Sequence, residues 1–194
     1  RLGTVSPSSP AGSVDSPLAP GAFALGAGAT FIARAVDVDQ KALPGLLNEA
    51  SDHQGTAFVE ILQNCIVYNK DVFEDVVNKK AAPDTQVVVE HGKPLIFGKE
   101  RVRCLKLNPQ TLQLETAVIG EYGVTEQDLL VHDETNPTIA QLLLALAPPN
   151  PVAMGVIHRR TKTAFDATYW AGKPTERRAK VVDLLRRGTV LDHR

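Results

Sequence analysis

Two near-continuous apolar runs, residues 30–36 (TFIARAV) and 56–62 (TAFVEIL), constrain this chain more than any other feature. The first carries one charge, Arg34, and lacks the alternation of a strand with one wet face. Strands of this composition need cover on both sides of the sheet. The segment between them holds Asp39, a suitable helix cap, and then Leu43, Leu46, Leu47 and Ala50 at helical spacing. Pro44 fits such a helix only near its first turn, and Gly55 ends the connection. Strand, amphipathic helix, strand is the pattern of a parallel sheet covered by helices, so the expected fold class is α/β.

The flanking segments supply further elements. Residues 1–20 are dense in Ser, Pro and Gly and read as a surface loop. Residues 22–29 (AFALGAGA) predict a helix of small residues packed closely on the sheet, with Gly26 and Gly28 serving that approach. After residue 62 the strand pattern ends, and QNCIVYN carries Cys65. A short helix is expected at 71–78, with Val72, Phe73, Val76 and Val77 inside. Short strands are expected at 86–90 and 95–97 around the turn His91-Gly92-Lys93-Pro94, and further strands at 101–107 and 152–157. Asn136 and Pro137 mark a helix start. Ile139, Leu142, Leu143 and Leu146 form its apolar face, before Pro148 and Pro149. Thr175 predicts the cap of a last helix with Val181, Val182 and Leu185 inside, Arg186 and Arg187 at its end, and Gly188 beyond.

With 43% hydrophobic and 22% charged residues over 194 positions, the chain can bury one good core. A formal net charge of −1 offers no strong positive field to nucleic acid or an anionic membrane. No apolar run approaches the roughly 20 residues that a membrane span requires. Cys65 and Cys104, far apart, make no disulfide framework, and a reducing cytoplasm is the expected setting. The chain opens on Arg1, and Met154 is its one methionine, which leads us to expect a piece of a longer subunit.

Few residues carry chemistry on their own. Cys65 follows a buried parallel strand at the sheet edge where ligands gather in α/β folds. It reads as a small buried hydrophobe, as a nucleophile, or as a metal ligand whose companions lie outside this chain. Cys104 reads as a packed strand residue. His53, His91, His132, His158 and His193 show no ligand spacing and read as surface or turn residues. Gly26 and Gly28 precede a strand, the reverse of a dinucleotide fingerprint. Arg159, Arg160 and Lys162 form a small basic cluster, read as a solvated face or a docking spot for an acidic carrier. These residues leave the function open.

Taken in order, three segments resemble the β subunit of 2-oxoacid:ferredoxin oxidoreductases, more closely the 2-oxoglutarate branch. They are Ser9-Pro10-Ala11-Gly12, residues 24–34 (ALGAGATFIAR) and residues 56–69 (TAFVEILQNCIVYN). A following stretch with Gly92-Lys93-Pro94-Leu95 is similar to that family's C-terminal extension. The resemblance implies a division into 1–69, the later part of a thiamine-diphosphate-binding domain, and 70–194, the extension.

It also implies thiamine diphosphate, Mg²⁺ and a [4Fe–4S] cluster in the complete subunit, with Cys65 as one cluster ligand. The implied partners are an α subunit, ferredoxin, a 2-oxoacid and coenzyme A. The implied reaction is oxidative decarboxylation to an acyl-CoA. The chain has no Gly-Asp-Gly motif and no CxxC, so we expect it to be inactive alone. Two alternatives are a binding or structural module derived from a thiamine-enzyme domain and a cluster-free thiamine decarboxylase half.

Overall fold

In the computed structural model of this chain, residues 3–67 and 70–171 are described. Both apolar runs become strands, β1 (Phe31–Val36) and β2 (Ala57–Leu62), paired in parallel with Phe31 opposite Ala57 and Val36 opposite Leu62. The helix between them is α2 (Ala42–Asp52). The N-cap is Lys41, and Asp39, expected as the cap, stands two residues before it with its Oδ1 accepting the backbone N–H groups of Lys41 at 3.1 Å and Ala42 at 3.0 Å. Pro44 falls in the first turn, where its missing N–H costs nothing.

Around this unit the chain adds α1 (Pro20–Gly26), α3 (Glu74–Val77), α4 (Ala82–Thr85) and β3 (Gln86–Val89). After these come β4 (Ile96–Phe97), β5 (Arg103–Leu107), β6 (Leu114–Val118), α5 (Pro137–Leu144) and β7 (Val152–Arg159). The larger sheet has the order β2-β1-β7-β3. It consists of two parallel pairs, β1 with β2 and β3 with β7, joined antiparallel between β1 and β7. Strands β4, β5 and β6 form a separate antiparallel sheet. The segments expected as strands around the 91–94 turn therefore enter different sheets, because Lys93 and Leu95 bond to the chain around His132 and Leu130 instead.

Helices cover both faces of the larger sheet. Leu43, Leu46 and Ala50 of α2 pack with Phe31, Ala33 and Ala35. On the other face Ile32, Val87 and Val89 share a core with Leu143 and Leu144 of α5 and with Leu105 of the smaller sheet. Every residue of β1 is buried, but in β2 only Leu62 is. The expected cover on β2 is partial: Phe58 and Val59 pack against the cores on its two faces, while Ile61 of this outer strand is 41% exposed.

Asn136 caps α5 through Thr138 and Ile139, with Pro137 at the first position, as its sequence signature predicts. Gly26 and Gly28 do not serve close packing: a Cβ at either would meet nothing within 4 Å. Gly28 instead supplies φ of +90° for the turn into β1. The close approach belongs to Gly155 in mid-β7 (φ +103°), where a Cβ would stand 2.9 Å from the Val89 carbonyl oxygen. From Thr163 onward the chain forms a separate unit. Its described part contains α6 (Phe165–Trp170), where the Phe165 and Tyr169 rings, one helical turn apart, stack at 5.7 Å. The helix expected after Thr175 lies outside the described residues.

Candidate functional site

The carboxyl ends of β1 and β2 carry the residues of interest. Leu62, 8% exposed, anchors the end of β2 in the core, and the chain then leaves the sheet through Gln63 and Asn64. The Asn64 side chain works in both directions. Its Oδ1 accepts the Phe73 backbone N–H at 2.8 Å, and its Nδ2 donates to Glu74 Oε2 at 3.2 Å. Residues 64 and 73 are thereby tied together, and the segment between them becomes a closed loop. Cys65 lies at the start of that loop and is exposed. Its neighbours Ile66 and Val67 are 86% and 67% exposed. Cys65, Ile66 and Val67 thus form a run of three exposed, largely apolar side chains on a fastened loop. The buried-hydrophobe reading of Cys65 does not describe this position.

Beneath the loop, Arg34 and Glu60 stand opposite each other on β1 and β2, with Nε donating to Oε2 at 2.7 Å and side chains only 10% and 19% exposed. At the end of β1, Asp37 donates its backbone N–H to the Leu62 carbonyl. Its Oδ1 is buried and has no hydrogen-bond partner among the described residues. A buried acceptor left unpaired is uncommon. No sequence signal marks it, since Asp37 follows the strand like any turn carboxylate.

The other candidates sort differently. Cys104 is fully buried in β5, its thiol donating weakly to the Ala117 carbonyl at 3.6 Å, and burial pushes its pKa up. It is a packed strand residue, as expected. The reading of all the histidines as surface or turn residues is wrong for two of them. His132 and His158 are 0% and 1% exposed, both packed around β7. A single polar residue in an apolar strand pattern is ambiguous, and β7 takes its His158 into the core. His53 bonds Thr30 Oγ1 at 2.8 Å, His91 is exposed beside Asp133, and His193 lies outside the described residues. Arg159 is not part of a solvated basic face. It pairs with Glu49 and Glu134 and lies over the Phe31 ring at 5.2 Å.

Among the described residues no three His, Cys, Asp or Glu side chains come together to hold a metal ion. Cys65 has the exposure and outward placement that one thiolate ligand of a shared cluster needs, but a cluster bound there draws its other ligands from outside the described residues. No helix of the described residues is long and apolar enough to cross a membrane.

Fold and site together define a sheet-and-helix α/β unit with a cysteine-bearing loop at its strand ends. Comparison with known proteins adds what the chain is similar to. No family model matches the chain. Over 170 residues, 86% of the chain, it is 34% identical to the 2-oxoglutarate oxidoreductase subunit KorB of Mycobacterium tuberculosis. Over 69 residues it is 36% identical to a 2-oxoacid:ferredoxin oxidoreductase β subunit of Saccharolobus solfataricus. Over these stretches the chain is similar to 2-oxoacid:ferredoxin oxidoreductase β subunits. It spans 44% of the length of the first and 23% of the second. In fold it matches a solved 2-oxoglutarate:ferredoxin oxidoreductase from Magnetococcus marinus, which has 2-oxoglutarate, coenzyme A and succinyl-CoA bound. The TM-score is 0.56 at 18% identity, over 95% of this chain and 50% of that one.

Proposed function

We propose that this chain is part of the β subunit of a 2-oxoacid:ferredoxin oxidoreductase acting on 2-oxoglutarate. In this reading the assembled enzyme converts a 2-oxoacid and coenzyme A into an acyl-CoA and carbon dioxide and passes two electrons to ferredoxin. The observation that carries the reading is the 34% identity over 86% of the chain to a 2-oxoglutarate oxidoreductase subunit. The exposed Cys65 loop agrees with it.

Bound thiamine diphosphate with Mg²⁺ would supply the carbanion chemistry of decarboxylation, and a [4Fe–4S] cluster would relay the electrons. Within this chain, Cys65 offers one thiolate to that cluster. Asn64 holds the loop that aims it, and Ile66 and Val67 present apolar cover that keeps water from its surroundings. Arg34 and Glu60 lock β1 to β2 so that the strand ends beneath the loop keep a fixed spacing. No described residue is assigned to thiamine diphosphate, because the chain holds no Gly-Asp-Gly motif. An α subunit completes the assembly, in a reducing cytoplasm where thiolates survive.

The test is reconstitution. The complete β subunit, expressed with its α subunit, should reduce ferredoxin only when 2-oxoglutarate and coenzyme A are both supplied. Turnover with neither 2-oxoglutarate nor any other 2-oxoacid would refute the reading.

A further inference from the structure

Residues 66 and 67 owe little of their placement to apolar packing, since Ile66 and Val67 are 86% and 67% exposed. The far limb of the loop is different, because there α3 is fastened to the larger sheet. Val76 and Val77 are buried with Val36 and Leu62, the last residues of β1 and β2, and with Met154 of β7. Gln86, the first residue of β3, donates an Nε2–H to the Val76 carbonyl at 2.6 Å. This short helix is therefore a fixed post beside the strand ends.

Glu74 ties the near limb to that post. Its Oε2 accepts an Nδ2–H of Asn64 at 3.2 Å, and its Oε1 accepts an Nδ2–H of Asn78 at 2.8 Å. Asn78 stands one helical turn after Glu74, and its own Oδ1 accepts the Lys80 backbone N–H at 2.9 Å. Each position in this row requires its residue type. Asn64 must accept from Phe73 and donate to Glu74, which an amide can do and a carboxylate cannot. Glu74 must accept at both of its oxygens, which a carboxylate can do and an amide cannot. The row is a matched set of donors and acceptors, and it ends on the residue before Cys65.

We infer that Glu74 is a positioning residue for Cys65: it closes an Asn64–Glu74–Asn78 latch that fixes where the thiolate points and how long a bound cluster is retained. The inference rests on the reading of Cys65 as a cluster ligand. Glu74 acts through Asn64 and touches neither cluster nor substrate.

Reversing the latch tests it. Asn64→Asp sets two carboxylates against each other. Glu74→Gln sets an amide N–H against the Asn64 amide, because Asn78 holds the other end. The double variant Asn64→Asp/Glu74→Gln restores the bond with its direction reversed, the new amide donating to the new carboxylate. Position 64 still accepts the Phe73 N–H, and position 74 still accepts from Asn78.

The quantity to measure is the rate of iron release from the assembled enzyme to an added chelator. Each single variant should release iron about tenfold faster than wild type, the scale of one charge-assisted hydrogen bond. The double variant should return close to the wild-type rate. Asp75→Asn removes a neighbouring charge but none of these bonds, and should match wild type. A single variant that assembles without iron supports the inference if the double variant regains it, and opposes it otherwise. Wild-type rates in both singles, a double variant no slower than the singles, or equal acceleration by Asp75→Asn would overturn the inference. Cys65→Ser, measured beside them, keeps the two assignments apart. If it retains its cluster, the ligand reading falls and this inference with it. If it loses the cluster while Asn64→Asp and Glu74→Gln behave as wild type, this inference falls alone.

Discussion

Asn64 Oδ1 accepts the Phe73 backbone N–H at 2.8 Å, and this one bond closes the loop on which Cys65 is carried. The two ends are nine positions apart in sequence, and the Nδ2 contact to Glu74 reinforces the closure. Replacing Asn64 by Ala removes both contacts and should cost about 1–3 kcal/mol of local stability. Hydrogen exchange should show the Phe73 amide opening faster in Asn64→Ala while amides of β1 are unchanged. Equal protection of Phe73 in both proteins would mean that the loop is held by something else.

Arg34 and Glu60 form the one buried ion pair between β1 and β2 among the described residues. Removing one partner strands the other charge against the core. Glu60→Gln or Arg34→Met alone should therefore lose about 3–5 kcal/mol in chemical denaturation. The double replacement Arg34→Met/Glu60→Leu should recover much of that loss, because no charge is left buried. If the double variant is as unstable as the sum of the two singles, the pair is not coupled as its geometry indicates.

Gly155 and Gly26 make opposite predictions. At Gly155 a Cβ would meet the Val89 carbonyl oxygen at 2.9 Å on a backbone with φ of +103°, so Gly155→Ala should destabilise by about 1–3 kcal/mol. At Gly26 a Cβ meets nothing within 4 Å, and Gly26→Ala should be neutral or slightly stabilising. Thermal melts of the two variants side by side decide the matter.

His132 and His158 give the fold a pH dependence of known sign. Burial lowers both pKa values, the dominant cause in each case. His132 donates Nε2–H to the Val156 carbonyl at 2.9 Å, so a second proton would have to sit on Nδ1, which is buried without a partner among the described residues. The folded state thus binds these protons less readily than the unfolded chain. The stability associated with the neutral rings is complete above about pH 6.5, the ordinary histidine value. It falls as the pH drops below that, until the folded-state pKa is passed. Denaturation midpoints should decline between pH 7 and pH 5, and His132→Gln should flatten part of the decline. A pH-independent midpoint would show that the rings are not buried neutral.

Much of the fold was legible because its signals are local. The runs at 30–36 and 56–62 gave β1, β2 and their parallel pairing, and Asp39 and Asn136 announced their helices. Less legible was whatever depends on partners distant in sequence. The entry of β7 between β1 and β3 is set by partners distant in sequence, and the need for Gly155 follows from the Val89 carbonyl on β3 and not from its own segment. Strand β6 (Leu114–Val118) has mixed polarity and was not anticipated, since its definition comes from pairing with β5. The site divided in the same way. Cys65 stood out by its place after a strand, whereas Asn64, Asp37 and the buried histidines are ordinary residues until their hydrogen-bond partners are known.

The central claim is that Cys65 supplies one thiolate to an iron–sulfur cluster in the complete β subunit, and iron content tests it most directly. Cys65→Ser replaces a thiolate with a far poorer iron ligand on the same loop. Iron per protomer and the cluster's absorption and paramagnetic resonance spectra, measured on the assembled enzyme, should fall sharply, while thiamine diphosphate binding remains. Cys104→Ser, buried in β5, should leave the cluster intact. Full iron content and an unaltered spectrum in Cys65→Ser would contradict the account.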